Sequence, residues 1–226
     1  MKEELDALSK NHTWDLVTLP PRKFVVDCKW FYKIKTHFDE SIERYKAYLV
    51  AKGFTHEIDF EETFAPVARI SSFRALLAIA TTTKWDLFQM DVKNAFLNGD
   101  FSEEIYMQPP LGLSVESNNV CRLRHALYSL KQAPQGWFAK FSSTIFRLGY
   151  TSNPYDSALF LHHIDKGPIL LLLYVDVMII ISDNLNGIQE LKDFLSQQFE
   201  MKDLGHLSYF LGLKITHSTN GLYITH

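Results

Sequence analysis

The sequence predicts an α+β domain, an antiparallel sheet backed by two or three helices. Three observations carry this expectation. Residues 169–181 read ILLLLYVDVMIII, two apolar runs around one acid, Asp176. Each run is long enough for a short buried strand, and Tyr174-Val175-Asp176-Val177 is short enough for a hairpin turn. Other strand-like stretches also come as neighbours, 24–34 with 44–50 and 209–216 with 222–224 across Asn220-Gly221, a strong hairpin signal. The helical stripes lie between these hairpins without the strict alternation of a doubly wound sheet.

In order, residues 1–12 form a short polar helix with Leu5 and Leu8 on one face. An irregular approach over 14–17 leads to Pro20-Pro21. Residues 24–34, FVVDCKWFYKI, are β-branched and aromatic and read as a strand. A polar turn over 37–43 returns the chain into a second strand, 44–50. Gly53 breaks the pattern, and 56–66 is acidic and irregular. Ser71 or Ser72 caps a helix that buries Phe73, Leu76, Leu77 and Ala80. Residues 85–92 read as a strand, 94–98 as a turn of helix closed by Gly99, and 105–107 as a strand fragment. Residues 121–130 are short and mixed. Pro134 opens a helix with Trp137, Phe138, Phe141, Ile145 and Leu148 as its apolar stripe and Gly149 as its stop. Strands 158–162 and 169–173 flank the turn Asp165-Lys166-Gly167 and precede the central hairpin. Ile188, Leu191, Leu195 and Phe199 mark one more helix, ending near Gly205. The chain stops at His226 without a closing element, which suggests a piece of something longer.

At 226 residues and 46% hydrophobic content, the chain can bury a real core and is not a disordered segment. A net charge of −3 excludes a uniformly basic nucleic-acid coat, yet the charge is uneven. From Arg22 to Phe54 there are eight basic residues against four acids, and from Ser117 to Tyr155 five basic residues and no acid. Such stripes are ordinarily solvated faces, but they also attract phosphates. Cys28 and Cys121 suit a reducing compartment and suggest no disulfide framework. The start, MKEELDALSK, lacks an apolar signal-peptide core. The run at 169–181 is too short, and too interrupted by its acid, to span a membrane. These features suggest a cytosolic protein or a fragment of a longer one.

An ionised carboxylate between two buried strands is costly unless something pairs with it. A metal ion is the partner that best justifies Asp176; the plain alternative is a surface turn whose acid faces water. Asp91 has the same context, at the end of LFQMDV and just before a turn. Two carboxylates at adjacent strand ends suit Mg²⁺, which takes one or two carboxylates together with substrate phosphates. Two such ions ~3.5–4 Å apart clamp the attacking and leaving oxygens of an in-line phosphoryl displacement. Spacing alone does not bring the two acids together. His162 and His163, adjacent on a strand, point to opposite faces and make a poor shared metal site. Trp30, Trp85 and Trp137 read as core residues.

The stretches TWDLV, ERYKAYLVAKGF, ETFAPVARISSFRALLAIA, WDLFQMDVKNAFLNGDFSEEIYMQPP, LYSLKQAPQGW, LLLLYVDVMIIIS and FEMKDLGHLSYFLGLKI resemble the reverse transcriptase of copia-type (Ty1/copia) LTR retrotransposons, from about Thr13 to the last residue. The resemblance implies a right-hand polymerase fold with its thumb largely missing. Fingers would span roughly 1–85 and 102–130, and palm 86–101 and 131–226, with 1–12 a lead-in helix to the domain at 13–226. It also implies dNTP substrates, an RNA or DNA template with a primer, Mg²⁺ or Mn²⁺, no membrane, and a Pol polyprotein with integrase and ribonuclease H. That family context is cytoplasmic, in intracellular virus-like particles.

By the same resemblance, Asp91 and Asp176 are the catalytic, metal-binding aspartates. Phe96 is the aromatic gate that excludes a ribose 2′-hydroxyl, and its plain alternative is a core residue. Gln132 lines the nucleotide site. Lys46, and with it Lys35, meets the triphosphate from the fingers hairpin. The segment FLGLKI and its hairpin grip the primer. Two positions depart from the pattern. Val177 replaces the second Asp of YVDD, and Tyr48 stands where the family commonly has Arg in KARLVAKG. A missing ligand worth several kcal/mol lowers the rate by on the order of 10³. Three readings follow: an RNA-directed DNA polymerase domain impaired in this copy, a catalytically silent nucleic-acid-binding or structural remnant, or another palm-like nucleotidyl transferase or cyclase.

Overall fold

The computed structural model describes residues 1–36, 41–52, 65–99, 104–116, 118–127, 130, 133–164, 167–218 and 221–225. In chain order its elements are α1 (Lys2–Lys10), β1 (Trp14–Thr18), β2 (Val25–Val26), β3 (Cys28–Thr36), β4 (Ile42–Ala51), α2 (Ile70–Thr83), β5 (Asp86–Val92), β6 (Tyr106–Met107), β7 (Asn119–Leu123) and α3 (Ala133–Phe146). There follow β8 (Thr151–Asn153), β9 (Asp156–Ile164), β10 (Gly167–Tyr174), β11 (Val177–Ser182), α4 (Leu185–Gln198), β12 (Met201–His206), β13 (Tyr209–Phe210), β14 (Leu213–Ser218) and β15 (Gly221–Thr225). A 3₁₀ turn, Ala95–Asn98, follows β5. The chain divides into two units, residues 1–65 with 96–140 and residues 66–95 with 141–226. Among the described residues no helix is long and apolar enough to cross a membrane.

The first unit holds a four-stranded sheet in the order β1-β7-β6-β2 and the hairpin β3–β4. Its core gathers Leu8 of α1, Leu49 and Ala51 of β4, Met107 of β6 and Cys121 and Leu123 of β7, with Trp14 and Trp30 packed against it. The expected irregular approach at 14–17 is instead strand β1, paired antiparallel to β7 from Trp14↔Leu123 to Thr18↔Asn119. Local pattern hides this strand because its partner lies about a hundred residues away. Part of the mixed stretch 121–130 is that partner. Arg122 Nη2 and Arg124 Nε donate to Asp15 Oδ2 at 3.0 and 2.7 Å across the pair. The expected strand 24–34 is broken at Asp27, whose carbonyl accepts from the Lys52 amide at 2.7 Å. Its later part pairs with β4 as expected.

The second unit holds a six-stranded antiparallel sheet, β12-β5-β11-β10-β9-β8, and a three-stranded sheet, β13-β14-β15. Phe73, Leu76, Leu77 and Ala80 of α2 are buried, as their spacing predicts. Neither Ser71 nor Ser72 caps that helix. Its first residue is Ile70, its N-cap position is Arg69, and Asp156 of β9 braces this end. The Asp156 carboxylate accepts from the Arg69 amide at 3.1 Å and from the Ser72 hydroxyl, so Ser72 serves as a donor to β9 rather than as a cap. Helix α4 ends at Gln198 rather than near Gly205, and β12 then joins the sheet as its edge strand beside β5. The expected strand 209–216 is interrupted by Leu211 and Gly212, both with positive φ. The expected features at 37–40, Gly53, 56–64, Asp165-Lys166 and Asn220 lie outside the described residues.

Candidate active site at the β10–β11 hairpin

Leucine and isoleucine crowd β10 and β11 because both strands sit inside the six-stranded sheet, and Leu171, Leu172, Ile179, Ile180 and Ile181 are fully buried. The strands pair from Leu170↔Ile181 down to Tyr174↔Val177, leaving Val175-Asp176 as a two-residue turn. Such turns require an unusual backbone. Here Val175 supplies it with φ +58°, a region that a β-branched side chain rarely enters. The turn holds Asp176 exposed at the end of the hairpin.

Strand β5 runs beside β11, with Val177 directly opposite Asp91. The Val92 amide donates to the Asp176 carbonyl at 2.8 Å, tying the turn to the end of β5. Both acids therefore stand at adjacent strand ends of one sheet, the juxtaposition that spacing alone left open. On its other side Asp91 is in register with Lys202 of β12. Cross-strand partners share a face, so Val177, Asp91 and Lys202 form one row. The opposite face belongs to α4. There Lys192, its side chain 8% exposed, donates to Asp203 Oδ2 at 2.8 Å and lies 4.2 Å from the Phe88 ring centroid. Lys93 and Glu200 form an ion pair beside the row, and the Lys93 amide donates to the Glu200 carbonyl at 2.9 Å.

Asp91 and Asp176 provide carboxylate oxygens, whereas Val177 provides no ligand atom. Among the described residues no three His, Cys, Asp or Glu side chains gather as a metal site. Two carboxylates remain within what Mg²⁺ uses when phosphates and water complete its shell.

The other expected site residues belong to the first unit or are not described. Phe96 lies on the 3₁₀ turn, half-buried and packed against the first unit's core. Lys46 on β4 lies 4.6 Å from the centroid of the Tyr48 ring. Lys35 pairs with Arg44 across the β3–β4 hairpin. Gln132 lies outside the described residues. Lys202 carries no signal in the sequence, because its segment follows a helical pattern without alternation and a register exists only once that segment is a strand.

An antiparallel sheet with helices packed on it, and an acid-bearing hairpin at its strand ends, define an α+β fold of polymerase type. Residues 11–226 match the family described as reverse transcriptase (RNA-dependent DNA polymerase). The chain belongs to that family, as a reverse transcriptase domain of copia-type Pol polyproteins. It is 43% identical over 220 residues to the Retrovirus-related Pol polyprotein from transposon TNT 1-94 of Nicotiana tabacum, covering 95% of this chain and 17% of that protein. It is 38% identical over 230 residues to the corresponding polyprotein from transposon RE1 of Arabidopsis thaliana, covering 100% of this chain and 16% of that one. The chain thus spans about a sixth of the length of these two relatives. Among solved structures it is similar to a telomerase from Candida albicans in complex with a fragment of telomeric RNA, with TM-score 0.49 and 10% identity over 98% of this chain and 50% of that one.

Proposed function

We propose that this chain is the fingers and palm of an RNA-directed DNA polymerase that extends a primer with dNTPs, and that this copy is catalytically impaired. The fingers would span roughly 1–85 and 102–130 and the palm 86–101 and 131–226, bounds that overlap the two units without coinciding with them, since α2 lies in the second unit. The observation that carries the reading is the register at the hairpin, in which the position opposite Asp91 is Val177 and the adjacent turn residue is Asp176. Mg²⁺ or Mn²⁺, when bound, supplies Lewis-acid stabilisation of charge on the transferring phosphoryl group. Asp91 and Asp176 hold it. Phe96 excludes the 2′-hydroxyl, Gln132 lines the nucleotide site, and Lys46 and Lys35 meet the triphosphate.

The β3–β4 hairpin supports a nucleic-acid partner. One of its faces, with Cys28, Trp30, Leu49 and Ala51, enters the first unit's core. The opposite face carries the pairs Lys29↔Val50, Phe31↔Tyr48, Lys33↔Lys46 and Lys35↔Arg44. Cations interleaved with aromatic rings, and no acid among these pairs, suit a phosphate backbone with stacked bases. A second reading, a catalytically silent nucleic-acid-binding remnant, is favoured by Val177 itself. The polyprotein setting with integrase and ribonuclease H, and a cytoplasmic location, belong to the same proposal.

The test pairs primer extension on an RNA template, in Mg²⁺ and then Mn²⁺, with primer–template binding across a salt series. The reading expects salt-dependent binding, slow extension, and a salt slope reduced by about 1 in Lys33→Ala. Binding without any extension, in the chain or in Val177→Asp, would leave the silent remnant. Binding that ignores salt would refute both readings.

A further inference from the structure

The second unit contains a cavity of about 250 Å³ at the end of its sheet away from the acidic hairpin. Ile169 of β10 forms part of its wall, five residues before Tyr174, or roughly 17 Å along the strand. Ile164 and Leu191 complete the apolar lining from β9 and α4. Gly187 lets α4 come this close, since a Cβ there would stand 2.8 Å from Ile169 Cδ1.

Three polar side chains converge on this apolar space. Tyr150 is 4% exposed and lines this space. Burial pushes its phenol up from the ordinary value, so it stays a neutral donor. Its hydroxyl can donate to an acceptor on a ligand in this space. The Tyr150 ring stacks on His162, with centroids 4.7 Å apart and planes 25° apart, giving the cavity an aromatic edge. His162 Nδ1 lies 3.1 Å from the Gly149 carbonyl oxygen, which can only accept. Nδ1 therefore carries the proton, and Nε2 of the neutral ring is an acceptor. Glu190, exposed on α4, adds a carboxylate at the rim. Among the described residues no lysine or arginine lines the cavity.

We propose that this cavity binds a small planar amino-heterocycle, one fused ring system of the purine-base type. Its amino and ring N–H groups would donate to His162 Nε2 and Glu190, and a ring nitrogen would accept from Tyr150. The volume is below the ~300 Å³ lower end of drug-sized pockets, which restricts the ligand to a base-sized fragment. The carboxylate of Glu190 at the rim selects against a phosphorylated nucleotide. The site is separate from the polymerase reading and stands without it.

The probe is 2-aminopurine, titrated by its fluorescence into the full chain. Saturable binding with a sub-millimolar constant is expected. Tyr150→Phe weakens it about 3- to 10-fold. Glu190→Arg, a surface change that leaves packing intact, weakens it by about 10-fold or more. Ile164→Trp fills the space and abolishes binding, with circular dichroism confirming the fold. Asp176→Asn leaves binding unchanged. The proposal is overturned by no saturation at ~5 mM probe. It is equally overturned by unchanged binding in Glu190→Arg and Tyr150→Phe, or by loss of binding in Asp176→Asn, which would put the probe at the hairpin instead.

Discussion

Replacing Val177 by Asp tests the strand register through two quantities that move in opposite directions. The new carboxylate would stand directly across from Asp91, on the same face. Opposed Cβ atoms lie ~4.5–5.5 Å apart, so the two carboxylates come within about 6 Å of each other. At an effective dielectric constant of about 20 their repulsion is about 3 kcal/mol. Both positions are partly exposed, and solvent screening reduces this to about 1–2 kcal/mol. Without metal the variant should therefore be less stable than the parent. A divalent cation that binds only the folded site returns about 2.7 kcal/mol at a hundredfold excess over its dissociation constant. The assay is urea denaturation of parent and variant, with EDTA and then with Mg²⁺ or Mn²⁺, alongside primer extension. The variant should lose stability in EDTA, gain more than the parent on metal addition, and extend a primer faster by on the order of 10³. Equal stability in EDTA together with equal metal shifts would show that positions 91 and 177 do not face one another. A parent that extends as fast as the variant would show that the second hairpin aspartate is dispensable.

Three further outcomes follow from the second unit. Burial alone would raise the Asp203 carboxyl, but hydrogen bonds from Lys192 and the Gly205 amide outweigh it and hold the group below its ordinary value. Its contribution is therefore present above the unfolded value near ~3.9 and lost as pH falls through the folded one. Asp203→Ala, which leaves the Lys192 ammonium buried beside Phe88, should cost about 1–3 kcal/mol at neutral pH, and the gap should narrow in denaturation curves as pH falls below the unfolded carboxylate value. Asp156→Ala removes the acceptor for the Arg69 and Ala158 amides and the Ser72 hydroxyl. It should cost about 2–4 kcal/mol in urea denaturation, and a loss under about 0.5 kcal/mol would mean that water replaces the acceptor. Val175→Gly relieves the positive φ in the turn and should stabilise the chain by up to about 1 kcal/mol, whereas a clear drop in Tm would show that the Val175 side chain contributes more by packing than its backbone loses by strain.

What was legible in the sequence depended on whether a residue's partner lay nearby. The β10–β11 hairpin, the buried stripe of α2 and the pairing of β3 with β4 are written in adjacent residues and could be read directly. The β1–β7 pair could not, because neither stretch alternates clearly and each is a strand only through the other. The same holds for the start of α2. Serines at the right place are a local signal, but the Ser72 hydroxyl donates to Asp156 of β9 instead of accepting from a helix amide. For the site, LFQMDV and ILLLLYVD each announced a carboxylate at a strand end. Their adjacency is a property of the sheet order, in which β5 inserts beside β11 although 84 positions separate Val92 from Asp176.

Strand β12 shows how a missed element changes the chemistry that a site can be given. MKDLGH has no alternation, carries a glycine, and its pairing with β5 shifts register between Asp203 and His206. These are features of an edge strand, where one side lacks a neighbour and irregularity blunts further pairing. Read as the end of a helix, the segment leaves Lys202 as one more surface lysine. Read as the edge of the sheet, it sets Lys202 in register with Asp91 and sends Asp203 to the buried ammonium of Lys192 on the other face. The alternation of a strand thus fixes both outcomes together. If Asp203 anchors β12 to α4, Lys202 must share the face of Asp91. A one-residue slip would exchange the two, placing an acid beside Asp91 and a second lysine against Lys192. The Lys192–Asp203 pair, remote from the row of Asp91, is what holds a cation rather than an anion next to the Asp91 carboxylate.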